Sequence, residues 1–549
     1  MVNRMIMSIF QEKNFLGFIN EIDPQCAGIY FPAKENGENA VCVGGFVIIR
    51  DGELGFLARL TQMRGCDIRT QNDYSRKEAF GKAELLLVFR GEDFGGADKT
   101  VFSFPSVGAK VYSCPQRRLE EFIQKSSGKK FAQTGENGHI ADLSAPLGRL
   151  VPDNALCNIS LNSLFGRHCA VVGTTGGGKS WTVAKLMEET LSKTGNKIIL
   201  FDAAGEYGAA QAKTVVLGKD SYFPYRKLSV NDLFILLRPG GESQKTVLLE
   251  AVRSLKIMKL SGRSGTFKKA YQQRKEYNDF YEKNISAVED NSCDFDINCL
   301  VPQIKEECVA YFAQGWGPAD AKLYDKQASL VNRTVNLINT DVFNKLFGFR
   351  NVPQGHLSII DIIEDFISGG ADKRILRIDL GEVSPLFFAK EITANAIGSY
   401  LLNKARKKVF RNSPVLLVVD EAHQFMNKKV TDEHFDSLAL DAFDLIAKEC
   451  RKYGLFLCLS TQMPKEIPEG TLSQIGSFIV HRLINEADKK VIENAVSPAG
   501  KNLLSFLPSL GEGEALLMSV NLAMPLIIKM DRPKNPPVYD TPRLSAADK

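Results

Sequence analysis

The segment GTTGGGKS at residues 173–180 restricts the possible folds of this chain more than any other, because it fits the pattern G-x-x-x-x-G-K-[ST] at every position. Glycines at these places let successive main-chain N–H groups turn inward around phosphate oxygens. A continuous apolar run at 169–172 precedes the segment, and a helical pattern at 180–191 follows it. A strand, a glycine-rich loop and a helix in this order predict a nucleotide-binding loop whose helix N-terminus faces the anion.

Two side chains of this loop have predicted roles of their own. Lys179 reaches the β- and γ-phosphates, and the hydroxyl of Ser180 completes the coordination shell of Mg²⁺. The alternative is a glycine-rich turn that fits the pattern by chance, which the flanking strand and helix disfavour. The nucleotide contacts expected from the loop and the residue after it are Gly173, Thr174, Thr175, Gly176, Gly177, Gly178, Lys179, Ser180 and Trp181.

Short apolar runs recur after residue 166 and alternate with helical stretches. The clearest runs lie at 169–172, 197–201, 415–419 and 455–459. Nearly continuous apolar strands that alternate with helices are typical of a parallel sheet covered on both faces. The sequence therefore predicts an α/β core formed by residues 151–225 and 351–530.

The remaining parts of the chain have different patterns. In residues 1–150, Asp51-Gly52 between two apolar runs predicts a hairpin, and a small barrel or sandwich is favoured. Residues 226–350 are polar, charged and mostly helical in period, which predicts a helical insertion whose basic residues line a DNA path or a solvated helix face. Residues 531–549 form a proline-containing tail. The other segments with a pattern are strands at 27–32, 84–90 and 108–113, a polar glycine-rich stretch at 126–137 and a β-like segment up to about 165.

Composition adds limits on compartment and partners. The 69 basic and 64 acidic residues leave a net charge of +5, which permits a nucleic-acid partner without requiring one. Eleven cysteines without a CxxC pair argue against a disulfide framework and a zinc ribbon. There is neither a signal-peptide pattern nor an apolar stretch of about 18 residues, so we expect a cytoplasmic chain without a membrane partner.

The apolar run at 415–419 ends in two acids, Asp420 and Glu421. Carboxylates directly after a buried strand are costly unless they are solvated, paired or bound to a metal. In an enzyme with a phosphate-binding loop, the first acid holds Mg²⁺ and the second orients and deprotonates the attacking water. The alternative, a strand that ends in polar turn residues, loses weight because the loop is present.

Other polar residues also follow predicted strands. Gln462, after the run at 455–459, is placed to sense the γ-phosphate, although a helix-capping role for its Ser-Thr neighbours is an open alternative. Glu206, after the run at 197–201, is expected at the same sheet edge or in a turn. Three arginines are candidates for neutralising transition-state charge or for surface ion pairs: Arg451 near the end of a predicted helix at 439–453, Arg482 after a strand at 477–480, and Arg167 before the loop strand.

Five segments in a fixed order carry a resemblance to a known family. They are RHCAVVGTTGGGKS (167–180), FDAAGEY (201–207), VLLVVDEAHQF (415–425), KECRKYGLFLCLSTQ (448–462) and LSQIGSFIVHRLINEAD (472–488). Together they resemble the HerA family, ring-forming DNA-translocating ATPases of the HerA–FtsK branch. PSVGAKVY (105–112) is similar in style to that family's N-terminal barrel. The resemblance implies a RecA-like core with an N-terminal β-barrel for assembly and partner docking, with ATP and Mg²⁺ as ligands.

The resemblance also implies roles for single residues. Asp420 and Ser180 hold the metal, Glu421 is the catalytic base and Gln462 senses the γ-phosphate. Arg451 looks like an arginine finger offered to the neighbouring subunit. Lys179 binds phosphates, and Arg167, Glu206 and Arg482 are further nucleotide-site residues.

Two departures from the family pattern leave these groups in place. The loop has Gly176-Gly177-Gly178 where a Gly-Ser-Gly-like sequence is usual, and Ala203-Ala204 replaces a Pro-His-like pair. Residues 420–423 also spell the DEAH box of two-lobed helicases. That interpretation is disfavoured, because this chain has a single loop-bearing α/β unit and a long separation between Lys179 and Asp420.

Two functions remain in view. The first is a homohexameric ring that hydrolyses ATP and pulls double-stranded DNA, with a NurA-like nuclease or an anti-phage defence effector as partner. The second is an ATP-regulated scaffold that assembles an effector and has little motor activity of its own. Stimulation of the ATPase by DNA distinguishes the two.

Overall fold

The computed structural model describes most of residues 9–538. The residues outside the description are 1–8, 24–25, 33–40, 70–74, 92–93, 95–96, 98–102, 129–142, 209, 353, 370–371, 427, 433–434, 497 and 539–549. The chain divides into two compact units. The first unit comprises Met1–Gly195, Ser460–Lys465 and Leu472–Pro536, and the second comprises Asn196–Leu459, Glu466–Thr471 and Pro537–Lys549.

A closed six-stranded barrel forms the N-terminal part of the first unit, as the sequence predicts. Its strands are β1 (Phe15–Ile22), β2 (Cys26–Phe31), β3 (Phe46–Asp51), β4 (Leu54–Arg69), β5 (Ser75–Arg90) and β6 (Lys110–Ser113), in the order β1-β2-β5-β4-β3-β6. The predicted hairpin is confirmed, since Asp51 pairs with Leu54 and Gly52 has a φ of +59° in the turn. Alternating apolar side chains such as Ile29, Val47 and Phe56 fill the interior.

The next part of the first unit leads into the glycine-rich loop. Its elements are α1 (Gln116–Gly128), β7 (Ser144–Leu150), β8 (Leu156–Ser160), α2 (Leu161–Phe165), β9 (Cys169–Val172) and α3 (Lys179–Lys193). The β-like segment predicted up to about 165 is therefore correct for β7 and β8, but its last five residues form a helix. Most of the polar stretch at 126–137 lies outside the described residues.

The second unit starts with a strand, and a largely helical region follows. Its first elements are β10 (Lys197–Asp202), β11 (Lys213–Val216), β12 (Ser221–Tyr222), α4 (Val230–Leu237), α5 (Gly241–Leu260), α6 (Arg274–Lys283), α7 (Ile285–Val288), α8 (Leu300–Glu307), β13 (Val309–Tyr311), β14 (Trp316–Ala319), α9 (Ala321–Asp325), α10 (Ala328–Asn339) and α11 (Asp341–Phe347). The mostly helical character predicted for residues 226–350 is present. A short antiparallel pair, β13 and β14, interrupts it.

The later elements return to strands and helices. They are β15 (Leu357–Ser358), α12 (Ile359–Ser368), β16 (Ile375–Asp379), α13 (Ala389–Arg406), β17 (Val415–Val419), β18 (Lys428–Asp432), β19 (Phe435–Leu440), α14 (Ala442–Glu449), β20 (Leu455–Thr461), α15 (Glu469–Leu472), β21 (Ser477–Val480), α16 (Glu486–Ala495), β22 (Glu514–Ser519) and β23 (Leu526–Met530).

The helix predicted at 439–453 is wrong in extent. Residues 439–440 belong to β19, which pairs with β18, and the helix α14 covers only Ala442–Glu449. Asp441 at the N-cap position and Asp444 in the first turn favour a helix start here, because acids stabilise a helix N-terminus. A 3₁₀ turn over Cys450–Tyr453 then ends at Gly454, whose φ is +87°.

Each unit has its own set of paired strands. In the first unit the order is β9-β21-β22-β23-β7-β8, with β9 and β21 parallel and the other pairs antiparallel. In the second unit the order is β11-β16-β10-β17-β20, and all four pairings are parallel. The buried parallel strands expected from the apolar runs are therefore present. No helix in the described part of the chain is long and apolar enough to cross a membrane.

Candidate functional site

The glycine-rich loop of the first unit connects β9 to α3 and has a conformation that needs glycine. Gly176 and Gly178 have φ values of +74° and +104°, a region that residues with a side chain rarely adopt. A Cβ atom on Gly178 would lie 3.0 Å from the Cα atom of Gly513. The main chain can therefore curl tightly here and present its N–H groups, as a phosphate cradle requires.

The two polar side chains after the glycines lie at the start of α3. Lys179 and Ser180 are its first residues and are 6% and 9% exposed. The ammonium group of Lys179 lies 3.3 Å from the main-chain oxygen of Thr174, so the lysine folds back over the loop. This arrangement points a cation and a hydroxyl at the helix N-terminus, where the helix dipole also favours an anion.

The ends of two neighbouring strands hold the loop in place within the first unit. The N–H of Gly173 donates to the oxygen of Thr461, and the N–H of Thr174 donates to the oxygen of Arg482 at 3.0 Å. The hydroxyl of Thr175 donates to Oε1 of Gln462 at 2.5 Å. Gln462 is thus brought directly against the loop, and Arg482 contacts it through its main chain while its side chain is exposed.

A buried histidine, His481, packs against the glycines of the loop, although the sequence does not single it out. His481 Nδ1 lies 2.9 Å from the main-chain oxygen of Glu514, and Nε2 lies 2.9 Å from the hydroxyl of Thr182. Nδ1 therefore donates and Nε2 accepts, which is the pattern of a neutral imidazole. Burial, together with the nearby charge of Lys179, lowers the pKa of His481 from 6.5 to about 4. The ring is therefore an uncharged support.

Arg167 is not brought to the loop within this chain. It precedes β9, whereas the loop follows β9, so the two lie at opposite ends of the same strand. Its main-chain oxygen accepts a hydrogen bond from the N–H of Gly476, and its side chain is exposed. Trp181, in contrast, directly follows Ser180 in the first turn of α3 and is half-buried.

The second unit gathers acids at one edge of its parallel strands. Asp202 ends β10, Asp379 ends β16, and Asp420 directly follows β17. Because carboxyl ends of neighbouring parallel strands meet at one sheet edge, these acids share that edge. Asp420 is 2% exposed, as expected for a carboxylate with a specific task.

Glu421 has an unusual main-chain conformation. Its φ and ψ are 46° and 47°, in the left-handed region that disfavours residues with a side chain. Its Oε2 atom lies 3.3 Å from Nδ1 of His423. Glu421 is one of nine non-glycine residues with a positive φ in the described part of the chain, and this conformation fixes the direction of its main chain directly after Asp420.

Asp202 organises the loop that carries Glu206. The side chain of Asp202 is fully buried and accepts hydrogen bonds from the N–H groups of residues 205, 206 and 207. Arg377 donates to Asp202 at 2.7 Å and to Asp379 at 2.8 Å. The main chain around Glu206 is therefore fixed by a buried ionic network, and the Glu206 side chain is half-buried at its rim.

Arg451 lies on the 3₁₀ turn between α14 and β20 and its side chain is exposed. The same segment is braced by an ion pair between Arg406 and Glu449 at 3.0 Å. Arg451 therefore occupies a well-formed turn from which its guanidinium can reach outward.

Comparison with known proteins adds family information. Residues 145–405 match the family model described as "Helicase HerA, central domain". A probable helicase of Methanocaldococcus jannaschii is 25% identical over 472 residues, which cover 85% of this chain and 79% of the relative. The "DNA double-strand break repair helicase HerA" of Sulfolobus acidocaldarius is 26% identical over 70% of this chain and 69% of its own length. The protein of that name from Pyrococcus furiosus is 22% identical over 83% of this chain and 82% of its own length.

Two solved structures that match this chain have low sequence identity and TM-scores below 0.5. VirB4 of Thermoanaerobacter pseudethanolicus gives a TM-score of 0.44 at 16% identity and covers 70% of this chain and 96% of its own. The plasmid coupling protein TrwB in complex with ADP and Mg²⁺ gives 0.40 at 13% identity, with coverage of 71% and 91%.

Proposed function

Because this chain belongs to the HerA family of P-loop ATPases, we propose that it hydrolyses ATP at its glycine-rich loop and uses the energy to move along double-stranded DNA. The observation that carries the proposal is the loop itself, with Lys179 and Ser180 at the N-terminus of α3. The glycine conformations at 176 and 178 suit a main-chain cradle for a triphosphate. The family's central domain spans both the loop and the segment with Asp202 and Arg377.

In this proposal each residue that contacts the nucleotide has a separate task. The contacts to the phosphates come from the N–H groups of residues 173–181 and from the ammonium of Lys179. Gln462, already hydrogen-bonded to Thr175, senses the γ-phosphate. Arg482 and Glu206 remain proposed nucleotide contacts, whereas Arg167 lies at the far end of β9 and stays a sequence-based prediction.

The acids of the second unit supply the hydrolytic chemistry. Asp420 and Ser180 are the proposed protein groups that would hold Mg²⁺, and the ion would neutralise charge on the β- and γ-phosphates. Mg²⁺ in such enzymes keeps several waters and takes only one or two protein carboxylates, so Asp420 alone is sufficient, since Asp202 and Asp379 are already paired with Arg377. Glu421 orients the attacking water and accepts its proton, and its fixed left-handed main chain restricts where the carboxylate can point.

Arg451 is proposed to act on a neighbouring subunit in a homohexameric ring. An arginine finger contributes about 10³–10⁵ in rate by stabilising transition-state charge. Exposure on an ordered turn, as Arg451 has, is what a finger needs in order to enter another chain's site.

The barrel is proposed to dock a partner, either a NurA-like nuclease or a defence effector. Phe18, Tyr30 and Phe80 are opposite one another on three adjacent strands, and Phe18 and Phe80 are 37% and 39% exposed. Exposed aromatic groups of this kind are typical of protein interfaces. This row also favours the second candidate function, a ring that assembles an effector under control of ATP. We further propose a cytoplasmic location, since the ten cysteines with described side chains are free thiols.

ATP turnover with and without duplex DNA distinguishes the two functions. A translocase should be stimulated by DNA, and the stimulation should fall steeply with salt because phosphate contacts release counterions. Turnover that ignores DNA and responds only to an added partner supports the scaffold.

Mixing two inactive variants tests the finger. Lys179→Ala and Arg451→Ala should each lose hydrolysis, and Arg451→Ala should still bind ATP. In mixed rings, some sites combine the intact loop of an Arg451→Ala subunit with the intact finger of a Lys179→Ala neighbour. Activity should therefore return. Full activity of Arg451→Ala alone would contradict a finger supplied by a neighbour.

A further inference from the structure

The segment after β23 leaves the sheet at the same edge as the glycine-rich loop. β9 and β21 are parallel, β22 is antiparallel to β21, and β23 is antiparallel to β22. β23 therefore runs in the same direction as β9, and both end at one edge. The hydrogen bonds agree: Met530 N–H donates to Gly513, and Gly513 N–H donates to Gly177 of the loop.

This C-terminal segment, residues 531–535, is fastened along the loop helix. The carboxylate of Glu188 on α3 accepts hydrogen bonds from the main-chain N–H groups of Lys534 and Asn535 at 3.0 and 2.8 Å. Pro533 is buried, and its ring limits the conformations of the segment. The segment is thus held at a defined place on the face of α3 that carries Glu188.

Trp181 lies on that same face. Seven residues separate it from Glu188, which is close to two helical turns, so the two side chains are aligned about 10 Å apart along α3. Lys534 and Asn535 are held at Glu188, so Arg532, which precedes them, lies nearer the first turn of α3. The guanidinium carbon of Arg532 lies 5.2 Å from the centre of the Trp181 ring. Arg532 is exposed and Trp181 half-buried, so one indole face already accepts a flat cationic group at the loop edge.

We infer that Trp181 and Arg532 form the site for the nucleobase, with a purine stacked on the indole and covered by the guanidinium. With the phosphates in the loop and at Ser180, the nucleoside extends from them past the following residue, Trp181. An indole and a guanidinium both stack on bases, and the larger purine ring gains more than a pyrimidine. The long side chain of Arg532 can move outward by the thickness of a base.

This inference rests on the proposed function, because it requires a nucleoside triphosphate in the loop. The test therefore compares ATP with tripolyphosphate, which has the phosphates but no base. The chain has two tryptophans, and Trp316→Phe leaves Trp181 as the only one. In that full-length variant, ATP with Mg²⁺ should quench Trp181 fluorescence, and tripolyphosphate should bind without quenching.

Affinity measurements on Arg532→Ala and Trp181→Ala complete the test. Both should bind ATP about 5- to 10-fold more weakly, the lower part of the range for loss of one stacking contact, and should bind tripolyphosphate unchanged. Trp181→Phe should recover part of the loss. The matched control is Lys534→Ala, which removes a positive charge two residues away and should leave ATP binding unchanged. UTP should bind to the parent protein more weakly than ATP does, and the two alanine substitutions should change the affinity for UTP less than the affinity for ATP.

Three outcomes overturn the inference, and they are distinguishable. Unchanged ATP affinity in both alanine variants excludes the base site while the loop proposal stands. An equal loss for ATP and tripolyphosphate would show that Arg532 contacts phosphate instead. If the parent binds neither ligand, the proposed function fails together with the inference.

Discussion

The buried imidazole of His481 makes stability depend on pH in a defined window. Because burial lowers the pKa of His481 to about 4 from 6.5, the unfolded chain binds a proton at pH 5 and the folded chain does not. A depressed histidine pKa therefore contributes no penalty above pH 6.5 and costs stability as the pH falls from 6.5 toward 4. Each pH unit in this window costs about 1.4 kcal/mol, so the loss at pH 5 is about 2 kcal/mol.

The variant His481→Gln isolates this effect. Glutamine does not titrate, so the variant should lose about 2 kcal/mol less than the wild type between pH 7.5 and 5. The assay is urea unfolding followed by circular dichroism at both pH values, with the difference between the two proteins as the result. Other titrating groups are common to both proteins and cancel in that difference.

A second variant separates titration from hydrogen bonding. Thr182→Ala removes the hydroxyl that donates to Nε2 but leaves the imidazole buried. It should be less stable than the wild type at both pH values and keep the pH dependence. Equal pH dependence of the wild type and His481→Gln would refute the assignment of a neutral, buried His481.

Three further substitutions have expected outcomes. Gly178→Ala should destabilise the loop by about 1–2 kcal/mol and weaken ATP binding, because its φ of +104° disfavours a side chain; thermal unfolding with and without ATP measures both. Asp202→Asn should cost about 2–3 kcal/mol in urea unfolding, because Arg377 then keeps only Asp379 as an ionic partner. Lys269 forms a buried ion pair with Glu307, and Lys269→Met should cost about 3–5 kcal/mol in the same assay, since it leaves the carboxylate of Glu307 buried without this cation. Wild-type stability of these variants would contradict the corresponding contact.

Local sequence patterns were sufficient to predict the elements whose structure depends on neighbouring residues. The loop at 173–180, the apolar strand before Asp420 and the Asp51-Gly52 hairpin each depend on neighbouring residues, and the fold class follows from them. The position of Gln462 beside the loop also follows from a local pattern, because it directly follows a strand with a clear apolar run, and its role as a γ-phosphate sensor stays a prediction.

Features that depend on distant partners were missed. β16 was not predicted because Arg377 interrupts its apolar run, and the reason for a charge there is Asp202, 175 residues earlier in the chain. A charged residue inside a short apolar run was the available signal. His481 was overlooked likewise, since its neutral state depends on burial by distant parts of the chain, and its ring contacts Glu514 and Thr182, which are far from it in sequence.

The hairpin of β18 and β19 illustrates a second limit. Residues 435–440 precede a helix, and a window that includes both gives one continuous helical pattern from 439 onward. The acids at 441 and 444 favour a helix start, but the pairing of β19 with β18, which a single segment does not reveal, determines that residues 439–440 form a strand.

The steady-state ATP turnover of the purified full-length chain at saturating duplex DNA, compared with that of Lys179→Ala, is the most direct test of a loop that hydrolyses ATP. We predict Mg²⁺-dependent turnover that DNA accelerates, and a loss of at least about 100-fold in the variant, the scale for removing one group that stabilises transition-state charge. Turnover of Lys179→Ala equal to that of the wild type would contradict hydrolysis at this loop.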